Sequence, residues 1–308
     1  MKIAIIGAGA MGCLYGAYLS RCHDICMVDI DRQQIDAIEK SGIKIDHTDH
    51  ETMTFPNVRG VMSGQCCDAF DIVLLFVKSM YTEQALQQNK ALFRPDTIVL
   101  SLQNGAGNDK KLEQYVTKEN IIIGTSCHNA VNLGHGHVHH SAAGITTIGS
   151  NHQANDILNI VNNALSDADI EIEISRDIQR IIWSKLLVNL SVNTFTAITQ
   201  TPIGYMVKNQ YAWDFAKRLV YEAIEVAEAD GTYFDRREAL NMVKSLCESA
   251  KHGYSSMYQD RQNQVKMEID AINGAIVEQA KIYGVPTPYN TLIVDLIHAI
   301  EGSYKLYD

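Results

Sequence analysis

Apolar positions along the chain fall into two regimes. Up to about residue 170, short apolar runs of strand length alternate with stretches of helical period; from about residue 177 onward only the helical period remains. The first strand run covers residues 2–6 and is followed by a turn and an amphipathic helical stretch reaching about Arg21. Further strand runs fall at 25–29, 70–77, 97–102 and 121–126. In the second half, helices are predicted over 181–199, 212–229, 235–249, 256–283 and 290–303, punctuated by Gly231, Gly284, Pro286 and Pro288. Strands alternating with helices predict a parallel sheet, and the later helices predict a separate helical layer.

The turn after the first strand reads Gly7-Ala-Gly-Ala-Met-Gly12. This is the glycine spacing that a dinucleotide fingerprint requires between a strand and a helix. Gly7 allows the tight turn, Gly9 lets backbone approach a pyrophosphate, and Gly12 lets the helix pack on the sheet. Ala10 and Met11 open that helix, whose N-terminus faces the anion. The fold class is therefore α/β: a Rossmann-type dinucleotide-binding domain over residues 1–175, followed by an all-α domain over 176–308.

Asp29 closes the second strand and can accept hydrogen bonds from the ribose hydroxyls of an adenosine. Asp31 adds a second negative charge there, unfavourable for a 2′-phosphate. Arg32 beside it is a cation able to swing onto one, although Asp31 and Arg32 also read as plain solvated loop charges. The pattern favours NAD(H) over NADP(H). Lys78 and Asn104 each sit just past the carboxyl end of a predicted strand, where parallel sheets bind ligands. The structural alternatives are a surface lysine and an Asn-Gly turn.

In the helix predicted over 181–199, Lys185, Asn189 and Asn193 recur every four residues. At about 100° per residue they share one face. Leu186, Leu187, Val188, Leu190 and Val192 surround them. Polar groups in such company must be paired or must line a wet cavity; a structural ladder between helices and a substrate-binding wall both satisfy that requirement. Ser256-Met-Tyr-Gln259 has the form of a capping box, with Ser256 as the cap. Glu268 follows among Met267, Ile269, Ile272 and Ile276. The histidines of His135-Gly-His-Val-His-His140 lack companion cysteines and helical spacing, so they read as one edge of a hairpin continuing to Gly149, with no metal expected.

Composition narrows the partners. The net charge is −10, with no basic stripe, which argues against nucleic acid and against an anionic membrane. Apolar runs look strand-sized, short of a membrane span. Seven scattered cysteines match neither a disulfide framework nor a zinc site. Residues 2–6 read as a strand rather than part of a signal peptide, so a cytoplasmic protein is expected. Exposed apolar helix faces in the second half suit a homodimer.

Taken together, the chain resembles the ketopantoate reductase family. The resemblance rests on Gly7-x-Gly9-x-x-Gly12, Lys78, Gln103-Asn104-Gly105 and Gly136-His-Val-His. More specific are Lys185-Leu-x-x-Asn189-x-x-x-Asn193, Ser256-Met-x-Gln-Asp260 and Glu268-Ile-Asp-x-Ile-Asn-Gly274. It implies reduction of a 2-oxo acid to a 2-hydroxy acid, with 2-dehydropantoate as substrate in pantothenate biosynthesis. It implies Lys185 as the catalytic lysine and Glu268 as the second catalytic residue. Asn104, Asn189, Asn193 and Ser256 would line the substrate, and Lys78 would help hold the cofactor. The chain departs from the family's NADP-dependent members where Asp31 stands in place of an arginine. Two rival readings remain: an NAD-dependent D-2-hydroxyacid dehydrogenase of the same family, acting on branched or aromatic 2-oxo acids, and a non-catalytic dinucleotide sensor.

Overall fold

The computed structural model describes residues 1–48, 51–152 and 155–304. By internal contacts the chain divides into two units. One contains Met1–Gln103 and Gly107–Ile178; the other contains Asn104–Ala106 and the chain from Gln179 onward. The detour of Asn104–Ala106 into the helical unit has no counterpart in the apolar pattern.

The first unit begins with β1 (Lys2–Ile6), α1 (Ala10–Leu19), β2 (Asp24–Asp29) and α2 (Arg32–Ser41). Next come β3 (Ile43–His47), β4 (Met53–Phe55), β5 (Val58–Met62), β6 (Ile72–Leu75), α3 (Thr82–Gln88), β7 (Ile98–Ser101) and α4 (Asn108–Leu112). It ends with β8 (Ile121–Ser126), β9 (Asn129–Gly134), β10 (His137–Ala142), β11 (Thr146–Gly149), α5 (Asn155–Ser166) and β12 (Ile172–Ile174). Eight strands form a sheet in the order β12-β11-β8-β7-β6-β1-β2-β5. All neighbours are parallel except β11 with β8. The strand order reverses between β1 and β6, so the glycine turn after β1 lies at the topological switch point, where such sheets bind ligands.

A second sheet, β4-β3-β10-β9, was not predicted beyond its histidine hairpin. It covers α1, which packs on β3, β9 and β10 as well as on β1 and β2. The predicted amphipathic helix is therefore corrected: α1 is buried on nearly every side because it sits between two sheets. The hairpin also does not continue to Gly149. After Ala142 the chain leaves the small sheet, and β11 joins the large one against β8. His140 bonds to Tyr18 Oη (2.8 Å) and to His128 (3.1 Å), and His137 lies 2.9 Å from Asp46. Burial, aided by the neighbouring His140, pushes His128 down to about 4. Among the described residues no group of three or more metal-type ligands is gathered. All seven cysteines are free.

The second unit consists of α6 (Ile178–Thr199), α7 (Tyr205–Lys208), α8 (Gln210–Ala229), α9 (Arg236–Ser249), α10 (Ser256–Gln262), α11 (Asn273–Tyr283) and α12 (Pro288–Ser303). By length and composition alone α6 passes the test for a membrane span, contrary to the reading that no stretch does. Its Trp183, Leu186, Leu187, Leu190, Val192 and Ala197 are buried in the core of this unit, so it is a core helix. Ser191, Thr194 and Thr196 return their hydroxyls to carbonyls one turn back on the same helix, which is how α6 buries so many polar residues. Glu222 on α8, itself buried, accepts hydrogen bonds from Tyr289 N (2.8 Å), Asn290 N (2.9 Å) and Asn290 Nδ2 (2.8 Å). A carboxylate thus closes the start of α12, where orphan N–H groups and the helix dipole favour it. Asn290 in turn accepts from Asn273 Nδ2 (2.9 Å), which also donates to Leu190 O on α6 (3.1 Å).

The single helix predicted over 256–283 is two. Met267, Ile269, Ile272 and Ile276 are all buried and carry an apolar rhythm into the second helix, but α10 stops at Gln262 and α11 starts at Asn273. Gln264 takes a left-handed conformation (φ 53°) just after the break. Glu268 therefore sits on a loop, not on a helix.

Candidate active site

Within the first unit, the glycine turn is braced from beneath. Gly7 has φ 105°, and a Cβ there would stand 2.6 Å from Val77 N. A Cβ on Gly12 would stand 1.9 Å from Gly7 O. Only glycine tolerates these approaches, so β1, α1 and the segment before Lys78 close up on one another. Asp29 Oδ2 accepts from Ala8 N (2.6 Å) and Asp29 Oδ1 from Asp31 N (2.9 Å). The carboxylate at the end of β2 thus ties the glycine turn to the start of α2. Asp31 is no loose loop charge: it caps α2 by accepting from Gln33 N (2.9 Å) and Gln34 N (3.3 Å). Gln34, buried and not anticipated, donates to Ala8 O (2.6 Å) and accepts from Gly136 N (2.9 Å). It clasps the glycine turn to the turn between β9 and β10, which brings His135 within 3.7 Å of Asp31.

The turn fits a dinucleotide. Among the described residues, nothing lies within 4 Å of a Cβ built on Gly9. No side chain caps the first turn of α1, and no acid stands in it beside Ala10 and Met11. The turn therefore leaves an open helix N-terminus of positive polarity, suited to a pyrophosphate. Lys78 opens a short 3-10 turn, Ser79–Tyr81. Gln103 holds that segment: its Nε2 donates to Val77 O (2.7 Å) and Thr82 Oγ1 (2.8 Å), and its Oε1 accepts from Ser101 (3.0 Å). A glutamine directly after a buried strand was the available signal for this brace.

In the second unit, Asn104 and Glu268 meet. Asn104 Nδ2 donates to Glu268 Oε2 at 3.1 Å, across 164 residues of sequence. Gly105 makes the contact possible: its φ is 95°, and a Cβ there would lie 2.3 Å from Ala271 O. The chain bends at Asn104-Gly105, and the bend seats Asn104 on the Glu268 loop. Lys185, Asn189 and Asn193 lie one turn apart along α6, with Lys185 and Asn189 partly buried and Asn193 buried. Both ends of the Glu268 loop are tied to that helix. Arg261 Nη1 donates to Ile198 O (2.6 Å) before the loop, and Asn273 Nδ2 donates to Leu190 O after it.

The capping-box expectation is displaced by one residue. Ser255, not Ser256, caps α10 by accepting from Tyr258 N (3.1 Å), and its hydroxyl also bonds Thr196 on α6 (2.7 Å). Ser256 becomes the first helical residue, exposed, with its hydroxyl released from the capping role. Two adjacent serines made the register ambiguous, and burial of Ser255 against α6 settles it.

Comparisons with known proteins agree with this architecture. The profile for Ketopantoate reductase PanE/ApbA matches residues 3–153, and that for Ketopantoate reductase PanE/ApbA C terminal matches residues 177–301. The chain belongs to the ketopantoate reductase family. A 2-dehydropantoate 2-reductase from Streptococcus pyogenes is 31% identical, over 98% of both chains. One from Pyrococcus horikoshii is 32% identical over 98% of both. Among solved structures, D-mandelate dehydrogenase with NADH and anilino(oxo)acetate superposes with a TM-score of 0.92 at 30% identity, covering 98% of this chain and 99% of that one. A PanE/ApbA family ketopantoate reductase from Ralstonia eutropha JMP134 gives 0.88 at 29% identity, covering 99% and 100%.

Proposed function

We propose that this ketopantoate reductase family member is a nicotinamide-dependent 2-oxo acid reductase whose substrate is 2-dehydropantoate, reduced to pantoate. The observation that carries the reading is the Asn104–Glu268 contact, set on a loop tied to the helix that bears Lys185, Asn189 and Asn193. A dinucleotide turn by itself also serves a sensor; a lysine, a carboxylate and three amides brought onto adjoining elements serve chemistry on a polar substrate.

The bound reduced nicotinamide supplies the hydride. The chain's own residues must manage the charge that develops on the substrate's carbonyl oxygen. Lys185 is the general acid: its ammonium stabilises that oxyanion and then donates the proton, a role worth roughly a hundred- to ten-thousand-fold in rate. Glu268 is the second catalytic residue. Its Oε2 takes the Asn104 amide, which leaves Oε1 to orient the lysine or to accept from a substrate hydroxyl. Asn189 and Asn193 both donate and accept, which suits a hydroxylated oxo acid. Ser256, relieved of capping, offers its hydroxyl at a helix start to the substrate carboxylate. Gly7, Gly9, Ala10, Met11 and Gly12 would hold the pyrophosphate and Asp29 the adenosine ribose, with Lys78 and Asn104 as further cofactor-binding residues.

A second reading, NAD-dependent D-2-hydroxyacid dehydrogenase, is favoured by one observation: the superposition on D-mandelate dehydrogenase bound to NADH. It differs in substrate and not in the roles above. For either, NAD(H) is the preferred cofactor, because Asp31 is held as a helix cap beside Asp29. Two fixed carboxylates repel a 2′-phosphate. The protein acts in the cytoplasm, without nucleic acid or membrane partners. It forms a homodimer through the apolar face of α12, where Tyr289, Leu292 and Leu296 are exposed one turn apart, with Ile282 of α11 exposed as well.

Three outcomes are expected. Lys185→Ala lowers kcat by at least about a hundredfold while NADH binding, followed by fluorescence, changes little; equal loss of both makes the lysine structural. Asp31→Arg raises kcat/KM for NADPH relative to NADH by about tenfold or more, a change of about 1.4 kcal/mol; an unchanged ratio removes the carboxylate argument. Sedimentation shows a dimer that Leu292→Asp converts to monomer, whereas a wild-type monomer rejects the interface.

A further inference from the structure

Glu268 sits on a loop whose ends are tied to α6 and whose carboxylate takes the Asn104 amide. The other side of the loop is gripped by α12. Glu301 Oε1 accepts from Met267 N (2.7 Å), the residue before Glu268. His298 Nε2 lies 2.8 Å from Asp270 Oδ1, two residues after Glu268. His298 Nδ1 lies 3.1 Å from Glu301 Oε2. One imidazole therefore joins two carboxylates, and both of those carboxylates bear on the segment that carries Glu268.

We infer that Asp270, His298 and Glu301 form a positioning clamp that fixes the Glu268 loop in its working place only while the imidazole is protonated. This rests on the reading of Glu268 as a catalytic residue. The charge state follows from the acceptor count. Carboxylates have no proton to donate, so an imidazole facing one at each nitrogen must carry N–H on both, which is imidazolium. Once neutral, one ring nitrogen turns a lone pair toward a carboxylate, and that bond is lost. Other titratable groups near the clamp are Lys266, 3.8 Å from Asp270 Oδ2, and Tyr304 at the end of α12. Tyr304 is in turn acted on by Glu301 and by Arg261 and Asp260 of α10. Partial burial pushes His298 down, but the Glu301 and Asp270 carboxylates outweigh it and leave the group raised above its usual value. The sign follows: the clamp is complete at low pH and is lost as pH rises through the raised value.

A purely structural role is the competing account. Met267, Ile269 and Ile272 are fully buried and would anchor the loop without any clamp. They alternate with Glu268 and Asp270, however, and leave the outward side of the loop to α12. A displacement of even an ångström at a catalytic group is enough to cost rate.

The test compares variants of the full-length protein for kcat, KM and NADH affinity across pH. His298→Leu should lower kcat at least about tenfold with NADH affinity kept within about twofold. His298→Arg, with donors on both sides and a permanent charge, should recover most of the rate and move the alkaline fall in kcat to higher pH. Glu301→Gln keeps an acceptor for Met267 N but weakens the imidazolium pair; it should show the alkaline fall at lower pH, and it provides the test if His298→Leu does not fold. Wild-type rate and pH profile in His298→Leu or, should that fail to fold, in Glu301→Gln overturn the clamp, and so does an alkaline limb unmoved in His298→Arg. Glu268→Gln measured alongside separates the two readings. If it is slow while the His298 variants are normal, the clamp alone fails; if it is normal, the role of Glu268 fails and the clamp with it.

Discussion

The helical unit depends on one constraint: charged and amide groups on apolar elements must be given partners. α6 runs through the core of that unit, yet carries Lys185, Asn189 and Asn193 along with the buried hydroxyls of Ser191, Thr194 and Thr196. The hydroxyls satisfy themselves within the helix. Backbone carbonyls of α6, and Thr196 a second time, also take partners from neighbouring elements. Asn273 reaches Leu190 O, Ser255 reaches Thr196, and Arg261 reaches the carbonyls at the end of α6. Each of these contacts places one end of α10 or α11. The loop between them, with Glu268 at its middle, has little freedom left. A buried polar group left unpaired costs about 1–3 kcal/mol, so these contacts specify the arrangement more than they stabilise it.

The nucleotide unit follows the same logic at smaller scale. Gly7 and Gly12 permit backbone approaches that no side chain allows, and Asp29 and Gln34 then fill the hydrogen-bonding needs of the strained turn. The small sheet is part of this arrangement through Gly136, so the histidine-rich hairpin supports the glycine turn. Asp29 and Asp31 are both held in place by backbone donors.

Much of this was legible from residue pattern. The glycine turn, the strand runs of the large sheet and the period switch to helices all have local signals, and each comes from an element whose burial is one-sided or complete. The misreadings share a cause. Helix α1 reads as amphipathic only if one sheet is imagined; the second sheet, made of short strands such as β4 with mixed polarity, buries its other side. The helix over 256–283 is overextended because Met267, Ile269 and Ile272 keep an apolar rhythm through a loop that is itself buried. Ser255 and Ser256 are indistinguishable until the partner on α6 is known. The Asn104–Glu268 pair lies beyond any local pattern, since 164 residues separate its members. The two motifs that contain them name both residues without revealing that they touch.

The polar face of α6, with Glu268 and Asn104, is proposed to bind a 2-oxo acid and direct its reduction by the nicotinamide. The most direct measurement is the initial rate of NADH and NADPH oxidation with a panel of 2-oxo acids spanning 2-dehydropantoate, branched aliphatic and aromatic members. The account predicts turnover with at least one of them, fastest with 2-dehydropantoate, NADH preferred, and a 2-hydroxy acid as product. Tight NADH binding with no turnover of any member would contradict it and leave the chain a dinucleotide sensor.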